Sequence, residues 1–306
     1  MGQADVPEEI RELAERRERA RQARDFASAD DLREQIRRGG FEVTDTPSGP
    51  VFQAFPPEPL AQTRAGQVIR PQEVPSMLEE PPITDVSIQW VVQGWPEDVR
   101  RGIEAFDRHS AGHGVQHVVV DLLEERTDWR PNTDVVRLPK DVGWGAARNA
   151  GLLRSAGHVV VVADGSVEPV GDVLGPLIAA LEDPTVGVTG PFGIATHDLH
   201  DFHQSDGPDV DAVEGYLMAL RRDLVRDGLR FDEKFRFYRT ADIELSFQIK
   251  ARGLRATVTS VPVRKHQHRM WAATPEDERA RLSKRNFYRF LDRWRGRTDL
   301  LVVPGD

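Results

Sequence analysis

A chain of 306 residues is long enough for one sizeable core with an appendage, or for two domains. Its formal net charge of -9, from 41 Lys+Arg against 50 Asp+Glu, argues against a general binder of nucleic acid or anionic membranes, which would carry a basic excess. The absence of cysteine excludes disulfides, thiolate zinc sites and cysteine nucleophiles. No apolar run approaches the roughly 20 residues of a membrane span, and the acidic start MGQADVPEEIREL lacks the basic, apolar pattern of a signal peptide, so a cytoplasmic location is expected.

Residues 1–53 hold 9 Arg against 12 Asp+Glu and read as a small helical hairpin domain. Pro7 suits a first helical position, and Glu8, Glu9 and Glu12 complement the positive end of the helix dipole. Ile10, Leu13 and Ala20 supply an apolar stripe. After a break near Asp25-Phe26, Ala29, Leu32 and Ile36 recur at helical spacing until Gly39-Gly40 ends the helix. Phe41-Glu42-Val43 is a short extended piece. Residues 54–84 carry prolines at 56, 57, 59, 71, 75, 81 and 82. Each lacks an N–H and constrains its predecessor, so this stretch reads as a linker, partly extended, with room to lie on the next domain.

From Asp85 onward strands and helices alternate. Strands are expected at 86–92, 116–121, 134–138, 158–163 and 256–262. Helices are expected at 96–109, 146–156 and 170–181. The order implies an α/β fold with a mainly parallel sheet covered by helices, whose active site sits at the carboxyl ends of strands. The tail over 275–294 reads as a basic amphipathic helix. Leu282, Phe290, Leu291 and Trp294 are apolar, and Arg279, Arg281, Lys284, Arg285, Arg289, Arg293 and Arg295 are cationic. It suits either packing on its own domain or peripheral contact with an anionic lipid surface or acidic acceptor.

Chemistry concentrates at two places. The apolar strand 158–163 runs into Asp164, a position suited to a cation or a metal-bound phosphate, although Asp also opens turns. Upstream, Gly143-Trp144-Gly145-Ala146-Ala147-Arg148-Asn149 sets small residues around an Arg-Asn pair at a helix start. Free N–H groups and a guanidinium there suit phosphate, while the glycines also suit close packing.

Two family resemblances follow from these residues. Arg17, Ala20, Arg21, Asp25, Phe26, Ala29, Asp30, Arg33, Gly40, Asp45, Thr46 and Gly49 resemble the pattern of the C-terminal domain of cysteinyl-tRNA synthetases, over about 45 residues. That resemblance implies tRNA recognition, while the acidic balance favours a docking or dimerisation role. Residues about 85–270 resemble glycosyltransferase family 2, with its GT-A fold. The motifs are the Ala147-Arg148-Asn149 segment, the strand ending at Asp164, Gly215-Tyr216, Gly228-Leu229-Arg230-Phe231-Asp232-Glu233, Ala241-Asp242-Ile243-Glu244-Leu245 and a histidine at 266 or 268.

The second resemblance implies inverting transfer of a sugar from a nucleotide-diphosphate donor to a hydroxyl acceptor of unknown identity. It assigns Asp242 as general base. Asp121, Gly143, Arg148, Asn149 and Asp164 fall on the donor side, and Gly215 and Tyr216 on the acceptor side. Asp164 with His266 or His268 would hold a divalent metal, Mg²⁺ or Mn²⁺. The chain departs from the family at Ser166, where a second Asp is usual, and at Ala241, where a Glu is usual. Val91-Val92-Gln93-Gly94 and the 121–128 loop also differ. A catalytically degenerate scaffold or binding protein is the competing reading. The expected domains are thus 1–53, the linker 54–84, the transferase-like domain 85–270, and the helix and tail 271–306.

Overall fold

The computed structural model describes residues 6–23, 25, 28–29, 32–33, 35–36, 41–46, 49–54 and 67–302. The expected break at Phe26, the stop at Gly39-Gly40 and residues 55–66 of the proline-rich stretch lie outside them. The chain divides into two units, residues 1–62 with 81–83, and residues 63–80 with 84–306.

In the first unit, α1 (Glu8–Gln22) begins after Pro7 and turns Ile10 and Ala14 inward. Residues 28–29, 32–33 and 35–36 are helical, with Ala29, Leu32 and Ile36 buried. The expected extended piece is a full antiparallel hairpin, β1 (Phe41–Thr46) with β2 (Gly49–Ala54). Val43 on β1 meets Ile10, Ala14 and Ile36 in the unit's core.

The second unit is built on an eight-stranded sheet. Its strands are β3 (Thr84–Val92), β4 (Val115–Asp121), β5 (Thr133–Arg137), β6 (Gly157–Ala163), β8 (Val186–Gly190), β11 (Asp209–Val210), β13 (Leu217–Arg221) and β14 (Arg255–Val258), in the order β11-β14-β8-β13-β6-β3-β4-β5. Strands β5, β4, β3 and β6 are parallel, whereas β13 runs antiparallel between β6 and β8. Alternation along β6 divides the core into two layers. Val160 and Val162 face α3 (Trp144–Leu153), α6 (Ala241–Lys250) and α8 (Glu276–Trp294). Val159, Val161 and Ala163 face α2 (Pro96–Arg108) and α4 (Leu174–Leu181).

The helix expected from 170 begins only at Leu174, because Val170 still donates its N–H to Pro262 O (2.9 Å), continuing a short pairing of β7 (Val167–Pro169) with β15 (Val263–Lys265). The strand expected to 262 stops at Val258 for the same reason.

Residues 67–80, within the expected linker, are docked on the sheet unit. Ile69 donates to Arg137 O (3.0 Å), Met77 donates to Leu153 O (2.7 Å), and Val74 and Leu78 are buried. Arg222, buried at the start of α5 (Arg222–Arg226), donates to Met77 O and Glu80 O and so holds this segment without a β-ladder. The apolar face of α8 is likewise spent on its own unit, with Phe290, Leu291 and Trp294 in the core beside Phe247.

One side chain ties the two central strands. Arg148, 1% exposed, donates from Nη1 to Gln89 O of β3 (3.1 Å) and from Nη2 to Ala163 O at the end of β6 (3.0 Å), with its guanidinium 5.0 Å from the Trp144 ring. Burial lowers its pKa to about 10, with Asp164 acting in the opposite sense. Arg148→Met removes both donors from these buried carbonyls. It is expected to cost about 2–3 kcal/mol, the range for charged hydrogen bonds. A lowered urea midpoint at unchanged m-value would show it, and an unchanged midpoint would refute the tie.

Candidate active site

The parallel strands β3, β4 and β6 all end at one edge, where Val92 pairs with Asp121 and Ala163 is followed by Asp164. Because β13 is antiparallel, its entering residues arrive at that same edge, with Leu217 opposite Ala163. The Asp164 N–H donates to Tyr216 O (3.0 Å). The Gly215 N–H donates to Asp242 Oδ2 (2.8 Å) at the first turn of α6. A Cβ on Gly215 would sit 3.2 Å from Asp242 Cβ, so glycine permits this approach. The sheet edge, the β13 entry and the α6 start thus converge.

Asp164 is held on both oxygens. Its Oδ1 accepts the Ser166 N–H (2.9 Å) and the Ser166 hydroxyl, and its Oδ2 lies 3.4 Å from His268 Nε2. Burial alone pushes its pKa up, but the His268 and Ser166 interactions outweigh it and hold the carboxyl at about 2. His268 is the N-cap of α7 (Arg269–Ala273): its Nδ1 accepts the Trp271 N–H at 3.1 Å. An accepting Nδ1 carries no proton, so the proton of the neutral ring lies on Nε2 and faces Asp164.

Asp242 has the opposite balance. Burial raises its pKa, and the Gly215 and Ile243 amides with the Arg239 charge only partly offset this. Thr240, two residues earlier, has φ 71°, a left-handed conformation costly for a β-branched residue. That backbone turn swings the chain from Tyr238 into α6, and Tyr238 through Thr240 all face the site.

Two clefts meet at the Asp164–His268 pair. The larger, open to solvent, is lined by Trp144, Glu214, Tyr216, Tyr238, Arg239 and Asp242, together with the pair. The smaller follows the end of β3, along Gln93, Gly94, Trp95 and Asp98, to Gly165 and Ser166. His268 also packs between Tyr238 (ring centroids 4.5 Å) and Tyr216 (5.8 Å).

Of the residues expected in the site, Asp164, Gly215, Tyr216, Asp242 and His268 line the larger cleft. Several others do not. Arg148 is occupied with the two strand carbonyls and is buried away from both clefts. Asn149 clamps Phe231, donating to its O and accepting from its N, each at 2.9 Å. Gly143 and Gly145 allow the 232–236 loop to pack on the helix start, where the Trp144 and Gly145 N–H groups donate to Arg236 O and Phe235 O. Those amides are therefore not open to a phosphate. Asp121, 1% exposed, accepts the Leu123 N–H and the Trp129 indole N–H and is absent from both linings. His266 pairs through Nε2 with Glu168 Oε2 at 2.7 Å, apart from Asp164. Glu244 is buried against Gln248 and Arg293. Trp144 and Glu214 stood within the motif segments without being assigned to the site, and Tyr238 and Arg239 belong to no motif; the αL Thr240 that follows them carries no glycine to advertise the turn.

A divalent ion finds a poor donor set here. Among the described residues no three His, Asp or Glu side chains converge. Ser166 stands where a second carboxylate would sit and donates its proton to Asp164. His268 presents Nε2–H, not a lone pair, because ligation through Nε2 would require the proton on Nδ1, opposite the Trp271 N–H. The residues present do not fit a resident metal in this arrangement.

Comparison with known proteins agrees with the architecture. Residues 116–244 match the family model for glycosyl transferase family 2. The structure of GalNAc-T7 with UDP, GalNAc and Mn²⁺ superposes with a TM-score of 0.56 at 16% identity, over 69% of this chain and 49% of that one. A mannosyltransferase from Pyrobaculum calidifontis, in complex with GDP-Man and Mn²⁺, gives 0.48 at 17% identity, over 72% and 67%. The N-terminal segment is 46% identical over 44 residues to a cysteine–tRNA ligase of Caldicellulosiruptor saccharolyticus and 47% over 48 residues to that of Rubrobacter xylanophilus, covering 14% and 16% of this chain. The chain spans only 10% of the length of either ligase, and about half that of GalNAc-T7. Residues 116–244 are therefore a glycosyltransferase family 2 domain, carried on a GT-A fold.

Proposed function

We propose that the protein transfers a glycosyl group from a nucleotide-diphosphate sugar to a hydroxyl acceptor, with inversion at the anomeric carbon. The observation that supports this reading is the pair of aspartates on one cleft at the carboxyl edge of the sheet, with opposite pKa displacements. Such divergence separates a permanent anion from a proton acceptor. Asp242 takes the proton of the acceptor hydroxyl as its oxygen bonds to the anomeric carbon. The bond from that carbon to the diphosphate oxygen breaks, and the diphosphate leaves with the electron pair. Asp164 stays ionised and fixes His268 and the Tyr216 backbone around the reacting centre. Aromatic walls from Trp144, Tyr216 and Tyr238 offer faces for a sugar ring and exclude water. No step is assigned to a metal ion.

The domain boundaries proposed are an N-terminal module over 1–53 and a transferase domain with its C-terminal helix. For the module we favour a docking or dimerisation role over RNA binding, because it carries 9 Arg against 12 Asp+Glu.

Two outcomes are expected. Asp242→Asn keeps size and most hydrogen bonding but removes the base, so turnover should fall by about 10²–10⁴-fold with nucleotide binding retained. In the wild type, kcat/KM should decline as pH falls through the raised pKa of Asp242, giving an acid limb above the ordinary aspartate value of 3.8. Wild-type turnover in Asp242→Asn would remove Asp242 from the mechanism. Separately, filter binding of bulk tRNA across a salt series should show no retention by the full chain. Retention that falls steeply with salt would restore the RNA reading.

A further inference from the structure

The aspartate–histidine pair leaves a departing diphosphate without a resident metal, and among the described residues that line the larger cleft one cation is suited to replace it. Arg239 lines that cleft beside Asp164 and Asp242. The other cations near the pair are committed. Arg269 pairs with Asp98 (3.1 Å) and Glu97, Lys265 with Glu214 (3.8 Å), and Arg101 with Asp98 (2.9 Å). No carboxylate among the described residues pairs with the Arg239 guanidinium; it lies 5.4 Å from the Trp271 ring centroid, on the helix whose N-terminus His268 caps.

Its backbone, by contrast, is fixed. The buried Asn286 side chain of α8 donates to Arg239 O (2.8 Å) and to Phe237 O (2.7 Å), and the next residue is the left-handed Thr240. A flexible side chain on a fixed stem, unpaired and stacked on an indole, keeps its planar fork free for an anionic ligand.

We infer that Arg239 is the anion-binding residue of this site: it receives the diphosphate of the donor as the glycosyl bond breaks, in place of a carboxylate-bound metal. This rests on the transferase reading above. The guanidinium donates to diphosphate oxygens whose charge grows during bond cleavage, so it lowers the barrier more than it aids ground-state binding. The same fork also serves the bound diphosphate itself.

The test is a thermal-shift and calorimetric panel on the full chain in EDTA, with inorganic pyrophosphate, UDP, GDP and dTDP as probes. Wild type is expected to respond to pyrophosphate and to at least one nucleotide. Arg239→Gln is expected to weaken that binding about 10–100-fold, the equivalent of one or two charged hydrogen bonds, and Arg239→Lys to recover part of it. Equal binding by wild type and Arg239→Gln overturns the assignment, as does a wild-type response that appears only with Mn²⁺. In both cases the nucleotide-sugar reading survives. A pyrophosphate response that Arg239→Gln removes, with no response to any nucleotide, keeps the anion site and sinks the nucleotide-sugar reading. Silence toward every probe, with and without Mn²⁺, sinks both.

Discussion

The hydrogen bond from the Gly215 amide to Asp242 is the contact on which the rest of the site depends. It joins the strand that enters the sheet edge to the helix that carries the proposed base. Everything upstream serves this meeting. The antiparallel insertion of β13 between β6 and β8 brings Tyr216 beside Asp164. Had β13 run parallel to β6, residues 214–216 would emerge at the opposite edge of the sheet, and the two aspartates would not share a cleft. Arg148 then fixes the neighbouring strand ends, so the platform beneath Asp164 is rigid before any ligand arrives.

Electrostatics follow from that geometry. Two ionised carboxylates in one partly buried cleft repel, and the chain resolves this by unequal solvation. Asp164 collects hydroxyl, amide and imidazole donors, which hold its pKa at about 2, so it is charged at neutral pH. Asp242 receives two amides against a larger desolvation cost and is displaced upward. Glu214, also raised by burial and paired with Lys265, adds to the negative side of the cleft. Arg239 acts against that displacement, its charge lowering the pKa of both Asp242 and Glu214.

Much of this was legible in the sequence, and the failures are instructive. Apolar periodicity located β3, β4, β6 and α2 closely, because those elements are buried on a regular face. Asp164 stood out because it ends an apolar strand, and Asp242 through the family resemblance of the Ala241-Asp242-Ile243-Glu244-Leu245 segment. Arg148 and Asn149 misled because an Arg-Asn pair among glycines reads as a phosphate cradle. Only tertiary structure shows that loop 232–236 covers the helix start and uses its amides. The two histidines could not be told apart, since they lie two residues apart after the same strand and so share its alternation. Their fates diverge because β15 stays paired with β7 through Lys265, leaving His266 on Glu168, while His268 turns off to cap α7. Arg239 carried no motif at all.

The C-terminal helix shows why a charge run is a weak guide to function. As sequence, α8 was the one clearly cationic stretch, suited to a lipid surface. In the fold three of its charges meet acidic and aromatic partners of the site's own scaffold. Arg289 pairs with Asp232 of the loop that covers α3, Arg293 pairs with buried Glu244 of α6, and Arg279 stacks on Trp271 beside the His268 cap. Between them Asn286 holds the carbonyls of Phe237 and Arg239. A single helix thus restrains three segments that line or support the larger cleft: the 235–240 loop, the start of α6 and α7. The strained Thr240 backbone persists because its neighbours are fixed in this way, since a left-handed β-branched residue relaxes unless the surrounding contacts over-determine it. The site is therefore not confined to residues 116–244: its geometry is completed by a helix that begins more than thirty residues later.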